Sequence, residues 1–291
     1  MPSFHSLLIS PEELQQLRAA GAPVMVFDCS FELSDPAAGP RMFAASHIPG
    51  AVYADLDHAL STHDPVHAVS AGRHPLPDRE TFAAWLRHIG FHNGMQAVVY
   101  DRNSCNYCGR LWWMLQWMGH AAVAVLDGGL QGWEAQGLPL ASGEASAAPA
   151  TSSDFVMQPA LVSLASTEEV LAHLNAPDRR LVDSRGAPRY RGDVEPMDPV
   201  AGHIPGALNR PFSDNLGPDG RFKSPAQLRE EFDALLGTDT ALPVTVYCGS
   251  GVSATPNVLA LALSGRPTPT LYAGSWSAWC THQPPLPVAR G

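Results

Sequence analysis

Short apolar runs alternate along the chain with stretches whose apolar positions recur at helical spacing. Val24-Met25-Val26-Phe27-Asp28, Ala97-Val98-Val99-Tyr100, Leu181-Val182-Asp183 and Val244-Thr245-Val246-Tyr247 read as buried strands. Residues 80–89 and 225–236 carry apolar side chains along one helical face, which predicts amphipathic helices. Leu111-Trp112-Trp113-Met114-Leu115 and residues 258–263 are apolar throughout, as expected of helices packed on a sheet. Such alternation predicts an α/β fold of parallel sheets covered on both faces. Ligands of these sheets sit beyond the carboxyl ends of the strands, which directs attention to the residues after Tyr100 and Tyr247.

The pattern occurs twice. Ser46-His47-Ile48-Pro49-Gly50-Ala51 returns as Gly202-His203-Ile204-Pro205-Gly206-Ala207, and each copy follows a strand ending in Asp. Asp127-Gly128-Gly129-Leu130-Gln131-Gly132-Trp133 closes one half, and Ala273-Gly274-Ser275-Trp276-Ser277-Ala278-Trp279 closes the other. A period of roughly 150 residues is domain duplication, since solenoid repeats are about 20–50 residues long. The expected organisation is a domain over residues 1–140, a linker rich in Ala, Ser and Thr over 141–159, and a second domain over 160–291.

Composition narrows the function classes. At 45% hydrophobic and 16% charged, with a formal net charge of -10, the chain reads as a globular protein with no general affinity for nucleic acid or anionic membrane. An anionic substrate would need a local positive site against that background. No apolar stretch reaches the length of a membrane span, and the start lacks a secretory pattern. Five scattered cysteines, Cys29, Cys105, Cys108, Cys248 and Cys280, argue against a disulfide framework, so a reducing cytoplasm is expected.

The chemistry concentrates after the second-half strand, in Cys248-Gly249-Ser250-Gly251-Val252-Ser253-Ala254, which leads into a helix with Pro256 in its first turn. Two glycines allow a tight loop whose N–H groups turn inward as an anion-binding nest, with a helix N-terminus behind it. Such surroundings favour a thiolate and would equally hold a persulfide anion. A small buried cysteine at this position is the plainer alternative. In the first half Tyr100 aligns with Tyr247, so Asp101 falls at the cysteine position; a carboxylate cannot act as the sulfur nucleophile, and the first domain is expected to be catalytically silent.

These residues resemble the rhodanese family in its tandem-domain form. The resemblance covers nearly the whole chain and rests on both His-Ile-Pro-Gly copies, on the Cys248 loop and on Tyr272-Ala273-Gly274-Ser275-Trp276. It implies a sulfurtransferase working through a Cys248 persulfide without metal or organic cofactor, with a small anionic sulfur donor and a thiol, cyanide or protein acceptor. A thioredoxin-like reductant is a further candidate partner. The Cys-Gly-Ser-Gly-Val-Ser form is similar to the mercaptopyruvate branch, whereas thiosulfate-specific members carry basic residues after the cysteine. The resemblance matches Arg189 to the family arginine that grips the donor's charged end, and the loop residues Gly249, Gly251, Val252 and Ser253 are expected to bind the donor beside it; Arg185, a further binding candidate, reads with Asp183 as an ion pair near the site. A relay of Ser250, His74 and Asp57 would handle the donor's proton, with Asp64 competing for the aspartate position. One departure stands out: the branch commonly has a second arginine after Glu-Pro, but Glu195-Pro196 is followed by Met197 and Asp198, which keeps thiosulfate:cyanide sulfur transfer open.

Two rival classes are disfavoured by the residues: a phosphatase by the missing arginine, a silent module by Cys248 and Arg189. Phosphatases that share this single-domain fold use Cys-x5-Arg, and here that arginine position is Ala254. The other rival is a non-catalytic sulfur-binding or regulatory module. Cys105 and Cys108 form a Cys-x-x-Cys pair without a second pair, so packing is expected rather than zinc. His47 and His203 read as structural hydrogen-bonders.

Overall fold

The computed structural model describes residues 4–143 and 152–291. It divides into two compact units. One comprises the described residues within 1–62, 77–161 and 218–222; the other comprises 63–76, 162–217 and 223–291.

The first unit is built on five parallel strands: β1 (Leu8–Ile9), β2 (Val24–Asp28), β3 (Val52–Tyr53), β4 (Gln96–Tyr100) and β5 (Val123–Leu126), in the order β1-β5-β4-β2-β3. Its helices are α1 (Pro11–Ala19), α2 (Ala38–Ala45), α3 (Arg79–His88), α4 (Cys108–Trp117) and α5 (Gly129–Glu134). The second unit repeats the plan with α6 (Thr167–Ala172), β6 (Arg180–Asp183), α7 (Ala187–Arg191), β7 (Leu208–Asn209), α8 (Pro225–Leu236), β8 (Val244–Tyr247), α9 (Thr255–Leu263), β9 (Thr270–Leu271) and α10 (Ser275–Cys280). Its sheet is parallel, in the order β7-β6-β8-β9. The α/β architecture expected from the apolar pattern is thus present in both units, with the strand runs and the four helical stretches where the periodicity puts them.

Local chemistry explains the helix starts. Ser10, Ser166 and Ser224 each close a reciprocal capping box with Glu13, Glu169 and Gln227, and Asp78 caps α3 through the Thr81 N–H. By contrast, α4 and α9 have no side-chain cap. Both start straight from the loop that follows a central strand, so their first amides are left to that loop.

The two His-Ile-Pro-Gly copies are anchored alike. The Ile48 N–H donates to the Tyr100 hydroxyl at 3.0 Å, and the Ile204 N–H donates to the Tyr247 hydroxyl at 3.1 Å. His47 stacks on Phe43 and hydrogen-bonds its carbonyl; His203 does the same with Tyr190. Each turn is therefore tied to the strand that presents the loop of interest. Around these anchors lie Val98, Tyr100, Leu126 and Trp133 in one core, and Tyr247, Tyr272, Trp276 and Trp279 in the other.

Of the stretch read as a linker, residues 144–151 lie outside the described residues. The part from Ser153 to Gln158 is held to the first unit: Ser153 N–H donates to the Arg87 carbonyl, Asn93 pairs with Val156, and Phe155 is buried against Phe91.

Candidate active site

The strand register aligns the two halves without reference to sequence similarity. Asp28 pairs with Tyr100 and Asp183 with Tyr247, so the next residues, Asp101 and Cys248, occupy the same place at the carboxyl end of a central strand. Three residues later Ser104 and Gly251 both have positive φ, at 62° and 73°. A Cβ on Gly251 would come within 2.3 Å of the Ala273 carbonyl oxygen, so only glycine lets this loop approach so closely.

The first-unit loop shows what such a turn can hold. The Asp101 carboxylate accepts the N–H groups of Asn103 (2.8 Å) and Cys105 (3.0 Å) on one oxygen, and of Tyr107 (2.8 Å) and Cys108 (2.9 Å) on the other. Cys108 is the first residue of α4, so the helix start contributes directly. This is an anion nest filled by the chain's own carboxylate.

In the second unit Cys248 stands at that position, 1% exposed. Its N–H donates to Ser275 Oγ at 3.1 Å, its carbonyl accepts from Trp276 N–H at 3.0 Å, and the Gly249 carbonyl accepts from Ser277 N–H at 2.9 Å. The loop is thereby tied to the start of α10, where Ser275 adopts φ 54° and its hydroxyl donates to the Tyr272 carbonyl. Gly249, Ser250, Gly251 and Val252 are all buried, and Ser253 is half-buried.

His74 reaches this loop. The excursion 63–76 belongs to the second unit, and His74 Nδ1 lies 2.8 Å from Ser250 Oγ with both side chains buried. Gly72 makes the approach possible: its φ is 101°, and a Cβ there would meet the Gly274 carbonyl oxygen and Ser277 Oγ, both at 2.7 Å. The Arg73 N–H then donates to Ser277 Oγ at 3.0 Å. Asp57 lies in the first unit, in a turn where its N–H donates to Asp55 Oδ1 at 2.8 Å. Asp64 is exposed and accepts the Val66 N–H within its own turn.

The cations form a connected cluster. Arg189, on the short α7, pairs with Glu195 at 2.6 Å and with Asp198 at 3.2 Å. Arg73 pairs with the other oxygen of Asp198 at 2.7 Å. A Cβ built on Gly249 would lie 3.1 Å from Arg73 Nη2 and 3.5 Å from Arg189 Nη1, so both guanidinium groups flank the residue after Cys248. Arg185 is otherwise engaged: its guanidinium bonds Asp183 at 2.6 Å, Glu195 at 3.2 Å and the Gly202 carbonyl at 2.7 Å, and it lies over the Trp276 ring. Burial works against its charge, but Asp183 and Glu195 outweigh it and hold the pKa above the ordinary arginine value. Met197 is exposed, at 38%.

The other cysteines differ in setting. Burial pushes the Cys29 and Cys108 thiols well up, with the nearby Asp101 charge acting in the same direction. Cys280, half-buried, is pushed up to about 11, again mainly by burial. Sequence reasoning overlooked Arg73 and Ser275. Arg73 was readable only as the neighbour of His74, and its partner Asp198 lies 125 positions away. Ser275 was noted only within the terminal motif.

Comparison with known proteins completes the picture. A model of the rhodanese-like domain matches residues 10–136 and 166–282. A Pseudomonas aeruginosa protein named "Probable 3-mercaptopyruvate sulfurtransferase" is 47% identical over 280 residues, covering 95% of this chain and 96% of its own. The thiosulfate sulfurtransferase of Mus musculus is 34% identical over 270 residues, covering 91% of this chain and 88% of its own. The crystal structure of SseA from Escherichia coli superimposes with a TM-score of 0.77 at 30% identity, covering 94% of this chain and all of that one. Two matched domains, a cysteine-bearing loop at the end of a parallel strand, and relatives this similar over nearly their full length identify the chain as a member of the rhodanese family, a sulfurtransferase with two rhodanese-like domains in tandem.

Proposed function

We propose that the protein moves sulfur from 3-mercaptopyruvate, through a persulfide on Cys248, to a thiol acceptor. The observation that carries the donor assignment is the buried 2.8 Å contact between His74 and Ser250, two residues from the nucleophile. Mercaptopyruvate delivers its sulfur as a thiol whose proton must be moved, whereas thiosulfate brings no such proton. A buried imidazole–hydroxyl pair suits that task.

In the first half-reaction the Cys248 thiolate attacks the donor sulfur. The donor's C–S bond breaks, its electron pair passes to carbon as the pyruvate enolate, and the proton taken from the donor thiol through Ser250 and His74 returns to that carbon. Pyruvate leaves and Cys248 carries the added sulfur. In the second half-reaction an acceptor thiolate attacks the outer sulfur, the S–S bond breaks and the Cys248 thiolate returns. Arg189 holds the donor's carboxylate, Arg185 positions the loop from Asp183 to Glu195, and the amides of residues 249–253 stabilise the sulfur anion. The Asp101 nest in the other half supports this last role, because a loop of the same origin holds a carboxylate with four backbone N–H groups. On this reading the first domain is silent, and residues 1–140 and 160–291 are the two domains. Asp57, with Asp64 as competitor, is the proposed third member of the relay.

The same loop could pass sulfur from thiosulfate, with sulfite as leaving group, and Met197 where a second arginine is common after Glu195-Pro196 keeps that reading open. Acceptors within the proposal are a small thiol, cyanide or a protein thiol, with a thioredoxin-like reductant for release. Use of such thiols fits a reducing cytoplasm. Intact mass after incubation with each donor tests the proposal. A gain of one sulfur from mercaptopyruvate that disappears in Cys248→Ala is expected. A gain from thiosulfate alone transfers the assignment to the second reading, and no gain from either refutes both and leaves a non-catalytic regulatory module.

A further inference from the structure

We propose that Arg73 is the second donor-binding cation of this site, and that Asp198 is a built-in counter-ion occupying the place of the donor's carboxylate. The inference rests on the reading of the site as one for an anionic sulfur donor.

Three observations carry it. First, the position after Glu195-Pro196 holds Met197 and Asp198, not a cation. Second, Arg73 arrives from the excursion 63–76, and its guanidinium, with that of Arg189, flanks Gly249 beside the nucleophile. Third, the Asp198 carboxylate bridges these two cations, with Oδ1 on Arg73 at 2.7 Å and Oδ2 on Arg189 at 3.2 Å. A carboxylate gripped by two guanidinium groups within one residue of Cys248 has the geometry a small 2-oxo acid would need. The Asp198 side chain is 3% exposed, while Arg73 and Arg189 keep 24% and 21% of theirs in reach of solvent. A donor carboxylate can therefore approach the cations from the solvent side and compete with Asp198. Arg189 is also neutralised by Glu195, so without Arg73 the cluster would present a net negative charge to an anion. Arg73 restores the balance, and Asp198 sets how much positive potential is left for the donor.

The test uses two alkylating probes of nearly one shape, anionic iodoacetate and neutral iodoacetamide, with modification of Cys248 followed by peptide mass. The ratio of the two rate constants reports anion binding, and the iodoacetamide rate alone reports an intact nucleophile. In Arg73→Gln the iodoacetate-to-iodoacetamide ratio is expected to fall about tenfold, the effect of one charge-assisted bond. Arg73→Lys should recover part of it, and Asp198→Asn should raise the ratio above that of the parent. The KM for mercaptopyruvate should move in parallel, up in Arg73→Gln and down in Asp198→Asn, with kcat changed less than KM. An unchanged ratio in Arg73→Gln, or a lowered one in Asp198→Asn, overturns the inference. These readings stand apart from sulfur transfer: a parent protein that gains no sulfur refutes the proposed function, while the alkylation ratio still decides the role of Arg73.

Discussion

Asp101→Ala should unfold at a lower urea concentration than the parent protein, and a small carboxylate in the buffer should recover part of the loss. The Asp101 side chain accepts four backbone N–H groups at 2.8–3.0 Å in a residue 1% exposed. Hydrogen bonds to a charged acceptor contribute about 1.5–3 kcal/mol each. Their sum overstates the effect, because the carboxylate is itself desolvated and water can enter the vacated space. Removing one partner from a buried ionic site costs about 3–5 kcal/mol, and that is the loss expected here. With a urea dependence of about 2 kcal/mol per molar, the midpoint should fall by about 1.5–2.5 M. Five of the seven tryptophans lie in the first unit, so their fluorescence follows the relevant transition. Formate matches the missing group, and at ten times its dissociation constant it should return about 1.4 kcal/mol, while chloride at equal ionic strength should not. A midpoint that stays put, or equal recovery by formate and chloride, would refute the idea that this loop is built to hold an anion. It would also remove the main support for the same property around Cys248.

Other expectations follow from the second unit and from burial. His74→Gln and Ser250→Ala should each lower kcat with mercaptopyruvate by about 10²–10⁴ and leave thiosulfate turnover within a few-fold; equal losses with both donors would deny them a proton-handling role. Gly72→Ala should place a Cβ 2.7 Å from the Gly274 carbonyl at a φ of 101°, costing about 1–3 kcal/mol and lowering kcat/KM for mercaptopyruvate, and parental kinetics in this variant would show that the approach of Arg73 and His74 does not depend on that glycine. Burial holds the His120 imidazole below its ordinary pKa, with its bond to the Ala122 carbonyl opposing. The unfolded chain therefore takes up a proton there first, so stability present above about pH 6.5 should be lost as pH falls through the lowered folded value. His120→Gln should flatten that part of the urea-midpoint profile of the first unit, and an unchanged slope would assign it to another group.

The fold was readable from the chain because its evidence is local and repeated. Strand runs such as Val244–Tyr247, the amphipathic residues 225–236 and the two His-Ile-Pro-Gly turns each declare themselves within a dozen residues, and the duplication confirms each half against the other. The Cys248 loop was readable for the same reason. What escaped was built from distant pieces. Arg73 gains its meaning from Asp198 and Gly249, and no periodicity links positions so far apart. Asp101 was legible only as a missing nucleophile; that its carboxylate fills the loop depends on backbone directions at Asn103, Cys105, Tyr107 and Cys108. Arg185 was read both as a ligand for the donor and as an ion-pair partner, and its bonds to Asp183 and Glu195 engage the guanidinium within the protein.

The excursion of residues 63–76 has a consequence for how this duplicated gene can change. The stretch is encoded between strands of the half that carries Asp101 at the place of Cys248, yet it furnishes the imidazole beside Ser250 and the guanidinium beside Gly249. Deleting the half that carries Asp101 would take these side chains with it. A one-domain protein made from the Cys248 half alone would lack both groups unless a loop of its own replaced them, so the two halves can change length or order only together.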